Sequence, residues 1–246
     1  MHRLLLLFAL TLPALARADL TGVYQLIDER QRDAGTLTIQ MRDEHTIRYD
    51  MRGREAGQSG SSLLLGDRLY LITAQGEVMD MSMMGAIAGA LMPPQARQVV
   101  VQDPKVEATG RSRTVAGLKG EVYRWADGRH AGEAVVSSDP RARLLRRAME
   151  RLGDRMERIL GDAQVTRTWR QLRDVPQLRE RGVLSALTNG GGGMRLLRVE
   201  EGAVPAERFV LPRRPGTVAL PGLPNGLPNL NDPQMQQMLR GLMQQR

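Results

Sequence analysis

Cysteine is absent from all 246 residues. That excludes a disulfide framework, thiolate metal sites and a cysteine nucleophile. Aromatic residues make up only 3% of the chain, too few to serve as base-stacking platforms among its arginines, so no nucleic-acid partner is expected. There are 3 histidines, and His2 lies in the leader, which leaves His45 and His130. A three-histidine zinc site therefore cannot form, and HExxH is missing. Lysine occurs only as Lys105 and Lys119, so nearly all the positive charge is arginine. The apolar run at residues 4–12, "LLLLFALTL", is too short to span a bilayer.

That run has another use. His2 and Arg3 precede it, Pro13 breaks it, and Ala16-Arg17-Ala18 supplies small residues for cleavage. The order is that of a secretory signal peptide cut after Ala18, and it places the mature protein in the periplasm or outside the cell. Net charge is +8, of which Arg3 and Arg17 leave with the leader. The remaining excess favours contact with anionic membrane surfaces without integration into them.

From residue 20 to residue 81 the hydrophobic period is mostly two. "LTGVYQLI", "GTLTIQM" and "HTIRYDM" alternate, and "SLLLGDRLYLIT" reads as a hairpin turning at Gly66-Asp67. A further turn falls at Gln75-Gly76. The pattern resumes with "RQVVVQ" (97–102), "KVEATGRSRTVAG" (105–117), "KGEVYRWAD" (119–127) and "GEAVVSSD" (132–139). Connections this short predict an antiparallel meander, hydrophobic on one face.

The period then changes. Asp139-Pro140 is an N-cap and first-turn pair, and Leu144, Leu145, Ala148, Met149, Leu152, Met156, Ile159 and Leu160 recur at helical spacing until Gly161. Arginines and acids hold the opposite face, as expected of a helix covering a sheet. A weaker helical segment is predicted at 165–173. "GVLSALTN" and "GMRLLRVEEG" flank Gly190–Gly193, which lacks the Lys-Ser/Thr of a phosphate loop and reads as a turn between strands. "AERFVLP" (206–212) reads as a last edge strand. The domain is expected to span 19–212, followed by a Pro/Gly/Asn-rich linker at 213–231. Residues 232–246 then place Met235, Met238, Leu239, Leu242 and Met243 on one helical face, a stripe that must dock on its own domain or a partner.

No catalytic constellation emerges. G-x-S-x-G is absent, and the carboxylates are interspersed with arginine, as on a solvated surface. Asp80, between Met79 and Met81, reads as a strand-end turn or helix cap. The expectation is a protein with no enzymatic activity, no cofactor and no metal.

"EATGRSRTVAGLKGEVYRWADG" (107–128) resembles the signature of a family of secreted bacterial proteins classed as a domain of unknown function, through Gly110, Thr114, Val115, Ala116, Gly117 and Tyr123. Arg48-Tyr49-Asp50 and the methionines at 79–84 match an earlier R-x-D strand and a methionine-bearing strand end. Gly120 stands where relatives often place cysteine. The resemblance spans residues 20–212 and implies no activity. The order of strands and helices is also similar to periplasmic lipoprotein-carrier folds, which implies a curved antiparallel sheet and covering helices around an acyl-chain cavity.

The fold class expected is α+β, a twisted, half-barrel-like antiparallel sheet with helices packed on one face. Residues 78–94, "VMDMSMMGAIAGALMPP", carry five of the methionines. Met84, Ile87, Ala88 and Leu91 share one helical face, and three readings stay open. The segment plugs an irregular core. Alternatively, Met81, Met83, Met84, Ile87, Ala88 and Leu91 line a pliable groove for a lipid tail or hydrophobic peptide. Or the thioethers of Met79, Met81, Met83 and Met84 bind Cu(I) or Ag(I). The functional expectation is an exported binding protein for an apolar ligand. Its alternative is an interaction module that engages an envelope partner through the Met235–Met243 stripe.

Overall fold

The structure, a computed structural model, describes residues 18–54, 59–82, 105–126, 131–160, 175 and 178–216. The leader, the Met-rich segment beyond Ser82, the strand expected at 97–102, the helix expected at 165–173 and the C-terminal stripe lie outside the described residues.

Two antiparallel meanders make one sheet. The first is β1 (Leu20–Ile27), β2 (Asp33–Asp43), β3 (Thr46–Gly53), β4 (Gly60–Leu65), β5 (Arg68–Ile72) and β6 (Val78–Asp80). The second is β7 (Lys105–Val115), β8 (Leu118–Ala126), β9 (Ala131–Ser137), then α1 (Pro140–Leu160), β10 (Gly182–Thr188) and β11 (Gly193–Glu201). The 11-stranded order is β6-β5-β4-β3-β2-β1-β11-β10-β9-β8-β7. The meanders meet where β1 pairs with β11, Tyr24 opposite Leu196. The sheet is not closed, yet it curls. Four strand spacings separate β7 from β11, ~19 Å in a flat sheet, and the two nevertheless approach each other closely.

Alternation explains the inner face. Leu20, Gly22 and Tyr24 of β1 stand beside Met41, Ile39 and Leu37 of β2, then Ile47 and Tyr49 of β3. The stripe of α1 closes on them: Ala142, Leu145, Ala148, Met149 and Ile159 join one core with Leu64, Leu69, Leu118, Val122 and Val135. Asp139 caps the helix by accepting from the Arg141 N–H at 2.9 Å. The Arg141 guanidinium holds that carboxyl below the usual range. Gly22 is flat where Leu145 passes. A Cβ there would sit 2.5 Å from a Leu145 methyl. Two buried phenols tie the core: Tyr24 donates to the Val183 carbonyl of β10 at 3.0 Å, and Tyr49 to the Ala148 carbonyl of α1 at 2.5 Å. Burial pushes both above the ordinary tyrosine range.

The hairpin between β7 and β8 turns on Ala116 and Gly117, both left-handed at φ 50° and φ 76°. Two such residues are what a two-residue hairpin loop needs, and asparagine is preferred over alanine in the first. Ala116→Asn is expected to stabilise the protein by about 1 kcal/mol, raising the melting temperature about 2–4 °C. Thermal unfolding followed by circular dichroism checks it, and a lowered melting temperature would contradict the turn assignment.

The described residues are mostly β, with one long helix rather than several. The expectation of one hydrophobic face is also too simple. Leu63, Tyr70, Ile72 and Val78 form a second cluster with Val204 and Phe209. Tyr123, Ala134 and Val136 form a third with Val175 and Leu178. The edge strand expected at 206–212 is instead a 3-10 turn, Ala206–Phe209. The segment lies across a face rather than beside an edge, so its N–H groups close on local carbonyls: Arg208 to Pro205 and Val210 to Glu207.

Candidate functional site

Residues 202–216 form a strap over the outer face of the first meander. It starts at Asp19, whose carbonyl accepts from the Gly202 N–H and whose carboxylate accepts from the Val204 N–H, both at 2.9 Å. Val204 and Phe209 then rest on Leu63, Tyr70, Ile72 and Val78. The Arg42 guanidinium stacks 4.6 Å from the centre of the Phe209 ring. At the far side Arg213 donates to the carbonyls of Gly76 and Gln75, at 2.6 and 3.0 Å. Finally the Gly216 N–H reaches the Val78 carbonyl at 3.1 Å, beside the short edge strand β6.

An ionic knot pins the strap at its middle. Alternation puts Arg48 and Asp50 on the outer side of β3, and register sets Gln40 and Ser61 next to them. Arg48 donates through Nε to Asp50 Oδ1 at 2.9 Å, through Nη2 to Ser61 Oγ at 2.9 Å and through Nη1 to the Arg208 carbonyl at 3.2 Å. Ser61 donates to the same carboxylate at 2.5 Å. Arg208 of the strap bonds the other oxygen of Asp50, and its Nε donates to Gln40 at 3.0 Å. One carboxylate thus holds two guanidiniums at a site where Arg48 and Asp50 are 12% and 14% exposed.

Beside this knot the strap and the ends of β3 to β5 enclose a cleft of about 720 Å³. The knot forms part of its floor, and Met51, Ile72, Val210, Leu211 and Pro212 give it apolar walls. Among the described residues three large apolar side chains are strongly exposed, and two of them, Met51 at 48% and Val210 at 60%, line this cleft. Met51 is also the register partner of Leu37 on the inner face. Among the described residues that face is only partly roofed. α1 passes over Gly22, bonds Tyr49, and reaches the β2–β3 and β4–β5 turns through Arg147–Glu44 and Arg155–Asp67 ion pairs. Toward the other end, Leu26, Leu37 and Met194 are half-buried and Met51 is exposed.

Of the residues singled out from the sequence, Met81 is half-buried and packs against the main core. Asp80 is a cap: its Oδ1 accepts from the Ser82 N–H at 2.9 Å and from the Ser82 hydroxyl at 2.6 Å. Met83, Met84, Ile87, Ala88 and Leu91 lie outside the described residues, as do Met235, Met238, Leu239, Leu242 and Met243. The knot and the strap were not foreseen as a site. Their signals were Arg48 and Asp50 two apart on a strand, and Phe209 and Leu211 between prolines.

A smaller polar group stands elsewhere. Arg181 donates to Glu121 at 2.5 Å and to the Tyr123 hydroxyl at 2.8 Å. The first contact lowers the Glu121 pKa, while burial raises that of Tyr123. Among the described residues no three of His, Cys, Asp and Glu gather in a metal-holding group. No helix among them is long and apolar enough to cross a membrane.

No family model matches the chain, and no curated protein matches it. Among solved structures it is similar to a chain of "Structure of PNGF-II in C2 space group", at 8% identity and a TM-score of 0.37. That similarity covers 78% of this chain and 29% of the other, so this chain spans less than a third of that protein's length.

Proposed function

We propose that the chain is an exported, non-catalytic protein that binds an apolar guest, a lipid tail or a hydrophobic peptide, at the end of the sheet that α1 leaves unroofed. The observation that carries this reading is the cleft walled by Met51 and Val210. Isolated exposed apolar residues are ordinary, but two in one concave site favour a binding surface. The curl of the unclosed sheet supports a half-barrel-like carrier, and the resemblance to periplasmic lipoprotein-carrier folds points the same way. Met81 follows β6 toward the β4–β5 turn and packs against the main core, and we keep Met83, Met84, Ile87, Ala88 and Leu91 as a lining for the guest proposed from the sequence alone. The arginine excess suits a protein that meets anionic envelope membranes without entering them.

Native mass spectrometry of protein taken from the periplasm is expected to show a co-purified lipid or peptide mass. An environment-sensitive fluorescent fatty acid should bind, and Met51→Glu should weaken it about tenfold, since a buried methionine contributes about 1.5–3 kcal/mol. Met51 is exposed, so the fold is expected to tolerate the change. Absence of both the mass and the binding would retire the guest and leave the interaction module acting through Met235–Met243.

A further inference from the structure

We infer that the resident occupant of the strap cleft is the chain's own C-terminal stripe, Met235, Met238, Leu239, Leu242 and Met243, which competes there with the guest. The inference rests on the binding role proposed above.

Three observations lead to it. The first is where the described chain ends. Pro212 and Gly76 form part of the cleft wall, Arg213 is bonded to the Gly76 carbonyl, and Gly216 is bonded to Val78 two residues further on. The strap therefore releases the tail at the edge of the cleft itself. The second is reach. Residues 217–231 precede the stripe, and a chain of that length spans at most about 50 Å, so the stripe cannot leave the neighbourhood of the cleft. A tether that short raises the local concentration of the stripe enough to fill a site of weak intrinsic affinity. The third is chemistry. A five-residue apolar stripe on so short a segment is marginal alone in water, and its three methionines, unbranched and adaptable, suit the walls that Met51, Ile72, Val210 and Leu211 present. A self-docked tail keeps an empty cleft from exposing Met51 and Val210, and it gives way when a tighter guest arrives.

Because the chain has no cysteine, an introduced pair reports proximity without background. In the full chain, Val210→Cys with Leu239→Cys is expected to form an intramolecular disulfide at least about tenfold faster than Leu197→Cys with Leu239→Cys, the ratio an effective-concentration difference of that size would give. Leu197 is similarly exposed, at 46%, but lies on β11 outside the cleft. Equal rates for the two pairs would overturn the proposal. So would crosslinks found only between molecules, which would assign the stripe to a second copy. A saturating fluorescent fatty acid should slow the Val210 crosslink. If the crosslink forms rapidly and the fatty acid neither binds nor slows it, tail docking stands and the guest reading falls. If the fatty acid binds and the crosslink does not form, the reverse holds.

Discussion

Asp50→Ala is expected to lower the free energy of unfolding by about 3 kcal/mol, because it leaves two guanidiniums around an empty place. Among the described residues Asp50 is the one acid that Arg48 contacts. Its donors already go to Asp50, Ser61 and the Arg208 carbonyl, and its side chain is 12% exposed. Arg208 is 39% exposed and can turn toward water, so its share of the loss is smaller. The change should also release the strap. Proteolysis within residues 203–216 is expected to accelerate, and the Val204 and Gly216 amides should exchange faster with solvent. Asp50→Asn keeps the shape and loses the charge, so it should fall between. The exposed Arg147–Glu44 pair gives the comparison, since Glu44→Ala should cost under about 0.5 kcal/mol. Denaturant unfolding measures all three, and a change below about 1 kcal/mol for Asp50→Ala would mean that the knot does not hold the strap.

Leu145→Ala is expected to be as damaging, at about 3 kcal/mol, through the cavity left between α1 and β1. Leu145 is fully buried, and its methyls lie against the flat backbone of Gly22. Gly22→Ala alone pushes a new methyl into those groups and should cost about 1–2 kcal/mol. Together the two changes are complementary, since the methyl at position 22 enters the space that the leucine vacates. The double variant should therefore be no less stable than Leu145→Ala, rather than worse by the sum. Full additivity in this cycle would show that the helix does not lie where the structure places it.

Most strands and the helix were readable because each carries its own period. Thr46–Gly53 alternates, the turns at Gly66-Asp67 and Gly117 use glycines that accept left-handed backbone, and Pro140–Leu160 has a cap and an unbroken apolar stripe. The strap was misread for the same reason. Phe209 and Leu211 alternate as a strand would, and nothing local tells a segment lying on a face from one lying at an edge. The knot was out of reach because Asp50 and Arg208 meet only through tertiary folding, although Arg48 and Asp50 could have been placed on one side of β3. The apolar surface of β4 and β5 on the outer side was hidden in "SLLLGDRLYLIT", where both faces are oily and a single-faced reading has no way to choose. The methionine segment was legible as a composition, which does not distinguish a plug from a wall.

The order in which the strands are made follows from the place of β1. Among the described residues it is the first strand, it sits in the middle of the sheet, and Tyr24 waits for Leu196 before its second side is paired. A chain emerging from its N-terminus completes β2 to β6 by short hairpins while that side of β1 still offers open backbone donors and acceptors. Such a bare strand recruits neighbours as readily as its own partner. The β1–β11 seam is the last to zip, and it is the place where a stalled molecule would pair with another copy instead of with itself.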